Sequence, residues 1–187
     1  MKDRGISVLS SDGIERHLSD LGELLHASVH QGASIGFLLP FSETDGIDFW
    51  RDTVEPAVRS SAVLLLVACQ NDKVIGSVQL GYNTPANQPH RADVMKLMVH
   101  PAHRRQGIAR ALMVELEHHA KKLDRSLLTL DTRSGDGAEP LYTSLGFQTV
   151  GMIPNFCKDT LDHNRLDPTT IMYKLLDQWT TPQTRHH

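Results

Sequence analysis

Apolar residues recur at two different spacings along this chain, and these spacings predict where helices and strands lie. The first helical pattern repeats every three or four residues, which is the period of one helix face. Its apolar members are Ile14, Leu18, Leu21, Leu24, Leu25 and Val29. The pattern predicts a helix that Asp12 and Glu15 can cap and that ends near Gly32. A second helix is predicted over residues 43–59, where Pro56 disfavours a regular C-terminal half.

Runs rich in apolar and β-branched residues predict the strands. They cover residues 6–9, 63–69, 74–82, 91–99, 126–131, 147–153 and 169–176. The turn-forming residues 70–73 predict a hairpin between the second and third of these strands. A helix over residues 108–123 separates two strands, which should run parallel because such crossovers join parallel strands. A short helix is predicted over residues 138–145.

The junction between strand 91–99 and the following helix predicts a binding site for phosphate groups. Pro101 breaks the strand, and a basic turn containing Gly107 leads into the helix. Such a turn leaves backbone N–H groups unpaired at the helix N-terminus, where the positive end of the helix dipole also lies. Gly107 lets a ligand approach the backbone closely. Arg104, Arg105 and Arg110 surround the same turn.

Three other interpretations of this turn are less favoured. An ordinary strand-to-helix connection with a solvated basic surface would need no ligand. A nucleotide P-loop is excluded because no Gly-Lys-Ser or Gly-Lys-Thr follows the turn. A dinucleotide-binding fingerprint is excluded because the turn has one glycine where that motif has three.

Size and composition indicate one domain over residues 1–187, with a core over about residues 5–177 and a flexible tail at 178–187. The 19 basic and 22 acidic residues give a net charge of -3, which argues against nucleic acid or an anionic membrane as a partner. No apolar run approaches the about 20 residues of a membrane span. The two cysteines are too few for a disulfide framework. We therefore expect a cytoplasmic protein.

The turn also resembles a known motif. Arg104, Gly107 and Ala109 match the pattern (Gln or Arg)-x-x-Gly-x-(Gly or Ala), with which the GNAT superfamily of N-acyltransferases binds the pyrophosphate of acyl-CoA. The resemblance implies an α/β fold: a mixed, mostly antiparallel seven-stranded sheet, splayed between strands 4 and 5 and flanked by about four helices. It implies acetyl-CoA as co-substrate and no metal. The cofactor contacts it implies are Leu97, Met98, Val99, Arg104, Arg105, Gln106, Gly107, Ile108, Ala109, Arg110 and Tyr142.

Three side chains are candidates for the chemistry. Acyl transfer to an amine needs a route for the ammonium proton, because an alkylammonium with a pKa of about 10.4 is almost unreactive at pH 7. Asp93 and Asp131 lie on the strands that border the expected opening, where carboxylates could hold the amine and relay its proton. Tyr142 matches the family's tyrosine that faces the CoA sulfur, and its phenol could protonate the departing thiolate. Backbone N–H groups of Met98 or Val99, beside an expected bulge, would polarise the thioester carbonyl.

The first two helices and the loop between the last two strands are expected to select the acceptor. The segment around His30, Gly32, Ser34 and Phe37 resembles the tabtoxin-resistance acetyltransferases of the same superfamily. That likeness implies a small amino-acid-like acceptor, bound also by Asp93 and Asp131, and a role in toxin or antibiotic resistance. Gly32 and Ser34 are equally explained as a flexible turn.

Other classes of function stay open at this point. A protein or peptide N-acetyltransferase would use the same cofactor site, and so would a sensor that binds acyl-CoA without turnover. We expect a monomer or a homodimer. His26 and His30 have a spacing that can bind zinc, but no third ligand accompanies them, so no metal is expected.

Overall fold

The computed structural model describes residues 4–176, which form a mixed seven-stranded sheet in the order β1-β2-β3-β4-β5-β7-β6. The strands are β1 (Arg4–Val8), β2 (Val63–Gln70), β3 (Lys73–Gly81), β4 (Arg91–Val99), β5 (Leu127–Arg133), β6 (Gln148–Lys158) and β7 (Leu166–Leu175). Neighbouring strands are antiparallel except β4 and β5, which are parallel as predicted. The predicted fold class is therefore confirmed.

Helices flank this sheet. They are α1 (Ser11–Arg16), α2 (Leu18–His30), α3 (Glu43–Phe49), α4 (Glu55–Arg59), α5 (Ile108–Lys122) and α6 (Ala138–Ser144). A π-helical stretch, Trp50–Val54, joins α3 to α4, and a 3-10 turn, Pro101–His103, precedes the basic loop. Among residues 4–176, no helix combines the length and the apolar character needed to cross a membrane.

The two predicted N-terminal helices are less regular than their spacing indicated. The first is divided at His17 into α1 and α2. Its cap is Ser10, whose Oγ accepts a hydrogen bond from the Gly13 N–H at 3.1 Å, and not Asp12. A serine hydroxyl just before a helix satisfies an N–H that the helix itself cannot pair. Helices α1 and α2 together still bury the predicted apolar face, because tertiary packing selects that face despite the break.

Alternate residues of the sheet pack into two separate cores. Leu66 and Ala68 of β2 contribute to a core with α5, whereas Leu65 and Val67 contribute to a core with the N-terminal helices. Successive strand side chains point to opposite faces, so one strand supplies both layers. Each buried leucine of this kind contributes roughly 1.5–3 kcal/mol to the free energy of unfolding. The two cores fix the sheet between helices on either side.

The sheet opens between β4 and β5. The two strands are in register over only three pairs, Arg91–Leu127, Ala92–Leu128 and Asp93–Thr129. Beyond Asp93 the strand β4 continues to Val99 next to β3, while β5 continues next to β7. The predicted splay is therefore present, and the C-terminal halves of β4 and β5 border a gap.

The C-terminal hairpin extends beyond the predicted strands. The strand predicted over residues 147–153 continues to Lys158, because pairing with β7 resumes at Cys157 after an irregularity. Pro154 and Asn155, which are typical of turns, lie within that bulge, where Asn155 has a φ of 53°. The predicted tail, residues 178–187, lies outside the described residues.

Candidate active site

A bulge in β4 shapes one wall of the gap. Gln79 of β3 lies opposite Met95, whereas Ser77, two residues earlier, lies opposite Met98. Strand β4 therefore has one extra residue in this interval, which is the expected bulge. Lys96 lies in it with a φ of 51°, a left-handed conformation that residues other than glycine seldom adopt. The bulge redirects the side chains and backbone groups of β4 at the point where the sheet opens.

The N-terminus of α5 lies next to this bulge and is open to a ligand. Gly107 is its N-cap residue, with a φ of 77°. No side chain caps the helix, and the first turn carries no acidic residue. A Cβ added at Gly107 would meet no atom within 4 Å, so the space beside the backbone is empty. Unpaired N–H groups with open space in front of them are the features on which the predicted anion site depends.

The three arginines around α5 differ in how firmly they are held. Arg104 Nε donates a hydrogen bond to the Val99 carbonyl at 3.2 Å, and Arg110 Nη2 donates to Ser144 Oγ at 2.6 Å. Arg105 has a φ of 61°, and within residues 4–176 its guanidinium makes no hydrogen bond or ion pair. Gln106 instead faces β1, where its side-chain oxygen accepts a hydrogen bond from Arg4 at 2.6 Å. Arg105 is thus the side chain most available to a phosphate.

A cleft of about 900 Å³ extends from the basic loop before α5 to α6 and to the segment between α2 and α3 (residues 31–42, the α2–α3 segment). The predicted residues that line it are Leu97, Met98, Val99, Arg104, Arg105, Gly107, Ile108, Ala109, Arg110 and Gly32. Helix α6 forms the other wall, with Ala138, Pro140, Leu141 and Ser144, which the sequence analysis did not predict as lining residues. One cavity therefore contacts the anion site, the β4 bulge and the beginning of the α2–α3 segment.

Tyr142 of α6 is buried beside this cleft. Its side chain is 7% exposed, and its ring centroid lies 5.7 Å from that of Phe147. Burial raises the pKa of the Tyr142 phenol to about 12, and the carboxylates of Asp131 and Asp136 act in the same direction. Within residues 4–176 its hydroxyl makes no hydrogen bond to the protein. The hydroxyl is therefore protonated at neutral pH and is available to donate.

The two predicted carboxylates have different surroundings. Asp93 accepts short hydrogen bonds from Arg91 and from the Thr129 hydroxyl, so its charge is already paired. Asp131 is exposed, and the Thr169 hydroxyl lies 3.1 Å from its Oδ2. No ion pair joins Asp131 to any residue of the described chain. Of the two predicted carboxylates, Asp131 is thus the one whose charge no cation of the described chain pairs.

The predicted acceptor residues do not form one group. His30 Nε2 lies 2.8 Å from the Phe41 carbonyl and lines a second, separate cavity with Asp45 and His163. Ser34 Oγ lies 3.7 Å from Cys157 Sγ. The Phe37 ring packs against other aromatic rings. Of these residues, only Gly32 lines the main cleft.

The β6–β7 loop holds the α2–α3 segment in place. Thr160 Oγ1 donates to the Ala33 carbonyl at 3.0 Å, and the Leu39 N–H donates to the Thr160 carbonyl at 3.2 Å. Asp159 at the start of the loop is buried and pairs with Arg133 and Arg165. Backbone N–H groups at residues 161–162 lower the pKa of Asp159, and the charge of Arg165 acts in the same direction. The segment above the cleft is therefore fixed by contacts from residues more than 100 positions away.

Sequence analysis assigned no role to three polar residues near the opening: Lys96, Thr160 and Thr169. For Lys96 a signal existed, since a single charge interrupts the apolar run from Val94 to Val99. For the two threonines there was none, because their partners are distant in sequence. Across residues 4–176, no group of three or more His, Cys, Asp or Glu side chains could hold a metal ion.

The chain belongs to the acetyltransferase (GNAT) family, whose sequence profile matches residues 28–147. Acetyltransferase ECA0875 of Pectobacterium atrosepticum is 32% identical over 108 residues, which cover 56% of this chain and 73% of that protein. Human N-acetyltransferase 8 is 37% identical over 87 residues, 46% of this chain; the chain spans only 38% of that protein's length. The predicted superfamily is confirmed.

Solved structures share the fold. The protein yncA of Salmonella typhimurium, solved with its cofactor acetyl-CoA, aligns with a TM-score of 0.75 at 20% identity, over 97% of this chain and 98% of that chain. The ribosomal-protein-S18-alanine N-acetyltransferase of Escherichia coli aligns with a TM-score of 0.69 at 21% identity, over 99% and 100% of the two chains. At these identities the likeness concerns the fold.

The cleft fits an acyl-CoA on its own geometry. The uncapped α5 N-terminus and Arg105 can hold the pyrophosphate. The apolar wall from Leu97 to Val99, facing Pro140 and Leu141, can accommodate the pantetheine arm.

Proposed function

We propose that this protein transfers an acetyl group from acetyl-CoA directly to the amine of a small amino-acid-like molecule. The observation that carries this proposal is the single cleft that reaches from the anion site at Gly107 to Gly32 and Ala33. A donor bound at one end of that cleft and an acceptor bound at the other would meet at the β4 bulge.

The size of the acceptor follows from the segment above the cleft. Hydrogen bonds from the β6–β7 loop to Ala33 and Leu39 hold that segment down. A fixed segment at this end of the cleft favours a small molecule over a long peptide, which would need an open groove. The similarity to tabtoxin-resistance acetyltransferases supports including amino-acid-like toxins among the acceptors to be tested.

The described side chains supply a route for the protons. Bound acetyl-CoA would supply the thioester, whose C–S bond breaks as the amine forms the new C–N bond. Asp131 holds the acceptor ammonium and takes its proton, directly or through water. Backbone N–H groups of Met98 or Val99 stabilise the charge that develops on the carbonyl oxygen. Tyr142, kept protonated by burial, donates a proton to the departing thiolate. The nitrogen loses its second proton as the amide forms, and that proton restores the Tyr142 hydroxyl.

We assign the role of general base to Asp131 rather than Asp93 because the two carboxylates have different hydrogen-bond partners. Asp93 Oδ1 already accepts hydrogen bonds from both Arg91 and the Thr129 hydroxyl. The exposed Asp131 has no such cation. We infer that Asp93 positions Arg91 and Thr129 at the start of the splay.

The experiment is a thiol-release assay with acetyl-CoA and a panel of single amino acids, polyamines, amino-acid-like toxins and short peptides. Saturable turnover on a single amino acid or a small analogue supports the proposal. Turnover confined to peptides identifies a peptide N-acetyltransferase instead. Saturable binding of acetyl-CoA without thiol release on any acceptor identifies a sensor. Either of the last two results overturns the proposal.

A further inference from the structure

Lys96 occupies an unusual position for a charged residue. It lies in the β4 bulge, and its Nζ donates a hydrogen bond to the Ile35 carbonyl at 2.6 Å. The same Nζ lies 5.4 Å from the centroid of the Phe37 ring and 5.9 Å from that of Phe49. A Cβ added at Gly36 would lie 3.3 Å from it. The ammonium is thus held against the α2–α3 segment, beside the acceptor end of the cleft.

The charge of this ammonium is not balanced by an ion pair. Within residues 4–176 its partners are the Ile35 carbonyl and the two aromatic rings, and no carboxylate pairs with it. A lysine ammonium has three protons to donate, so two have no acceptor in the described protein. Burial lowers the pKa of Lys96, and the field of Asp131 opposes that shift. A partly desolvated cation gains most from an anion that can reach it.

Lys96 of β4 and Asp131 of β5 both lie beyond Asp93–Thr129, the last register pair before the two strands diverge, and no ion pair joins them within the described chain. The carboxylate is exposed and is oriented by Thr169. Two opposite charges on strands that diverge can be bridged by a ligand bound between the strands. A molecule with an ammonium and a carboxylate close together would complement both charges at once.

We infer that the acceptor is a zwitterionic amino acid or analogue whose carboxylate binds the Lys96 ammonium while its amine binds Asp131. This inference rests on the proposed function and specifies its acceptor. Lys96 would thereby determine specificity: amines without a carboxylate would leave its ammonium unpaired, and a site with an unpaired buried group rejects the incomplete ligand.

The inference can be tested by binding, independently of turnover. The probes are a panel of N-acetyl amino acids and the carboxamide of each, titrated by calorimetry into protein saturated with CoA. We expect the free acids to bind roughly 10- to 100-fold more tightly than the carboxamides, the range for one charge-assisted hydrogen bond. Lys96→Met should abolish this preference, and Lys96→Arg should retain part of it.

Lys73→Met is the matched control, because Lys73 pairs with Glu23 at 2.8 Å on the surface and does not line the cleft. Unchanged acetyl-CoA affinity in Lys96→Met shows that the variant is folded. Equal binding of acids and carboxamides by the unmodified protein, or the same preference in Lys96→Met, overturns the inference.

The thiol-release assay separates this inference from the proposed function. Equal turnover of amino acids and their carboxamides leaves the proposed function standing and overturns the role of Lys96. A Lys96-dependent preference for acids in binding, without any thiol release, supports the carboxylate site and overturns the proposed function.

Discussion

The two ends of the cleft are built in different ways. The cofactor end is formed by residues 97–110, which are contiguous in sequence, with α6 as the opposite wall. The acceptor end that we propose combines the α2–α3 segment and the β4 bulge with Asp131 and the supporting β6–β7 loop, which are far apart in the chain. A contiguous anion site depends on local backbone conformation, whereas a composite site depends on the packing that brings its parts together.

This difference has a functional consequence. The proposed cofactor end presents mainly backbone N–H groups and arginines, which suit the phosphate groups of a cofactor. The acceptor end presents individual side chains with separate partners, such as Asp131 with Thr169 and Lys96 with Ile35. Changes at one end should therefore alter the affinity for one ligand with little effect on the other.

The largest expected effect is at the acceptor end. Asp131→Asn should lower kcat/KM for the acceptor by roughly 100-fold, because the proton acceptor is lost. The affinity for acetyl-CoA should stay within about twofold of that of the unmodified protein.

Asp93→Asn is the control variant. It breaks the pair with Arg91 and should lower the free energy of unfolding by about 0.5–1 kcal/mol, while kcat/KM falls less than about tenfold. Steady-state kinetics and urea unfolding of both variants check this. A greater loss of activity in Asp93→Asn would reverse our assignment of the base.

The cofactor end can be tested with two matched glycines. Gly107 and Gly135 both have a φ of 77°, and a Cβ at either would meet no atom within 4 Å. Alanine at either position should cost about 1 kcal/mol of stability from backbone strain. Only Gly107→Ala projects a methyl group at the anion site, so it should weaken acetyl-CoA binding roughly tenfold, and Gly135→Ala should not. Calorimetric titration with acetyl-CoA measures both, and equal weakening would show that strain, rather than the anion site, is responsible.

A smaller effect is expected where the β6–β7 loop holds the acceptor end. Thr160→Val removes the hydrogen bond to the Ala33 carbonyl without changing the side-chain shape. We expect the acceptor KM to rise about three- to fivefold, the effect of one neutral hydrogen bond. The KM for acetyl-CoA should not change. Thr53→Val, at an exposed position, serves as the control. If both KM values rise together in Thr160→Val, the two ends are not independent.

The smallest effect near neutral pH is the effect of Tyr142 on stability, which becomes measurable only in alkaline solution. In the unfolded chain its pKa is about 10, and in the folded protein it is about 12. Between these values the folded state holds a proton that the unfolded state has lost, so the free energy of unfolding falls as the pH rises from 10 towards 12. This decrease in the free energy of unfolding is about 2–3 kcal/mol at most. Below pH about 10 none of this stability is lost. Urea unfolding at pH 8, 10 and 11 should show a shallower alkaline decline in Tyr142→Phe than in the unmodified protein; identical slopes would contradict the raised pKa.

Particular elements show why sequence prediction succeeded unevenly. Helix α5 was predicted within a residue because its apolar positions repeat along one face and Gly107 marks its start. The first helix was predicted without its break at His17, because the apolar spacing continues across that residue. Strand β6 was predicted too short, because Pro154 and Asn155 resemble a turn and only pairing with β7 carries the strand past them.

The order of elements, the family and the position of the predicted anion site could all be inferred from the sequence alone. Each of these depends on residues that are near neighbours in the chain: the period of an apolar face, or the turn Arg104-x-x-Gly107-x-Ala109. Only the tertiary structure decided that the charge of Asp93 is paired and that of Asp131 is open, and that Lys96 faces the α2–α3 segment. The physical reason is that pairing, desolvation and orientation depend on groups that folding brings together from distant positions.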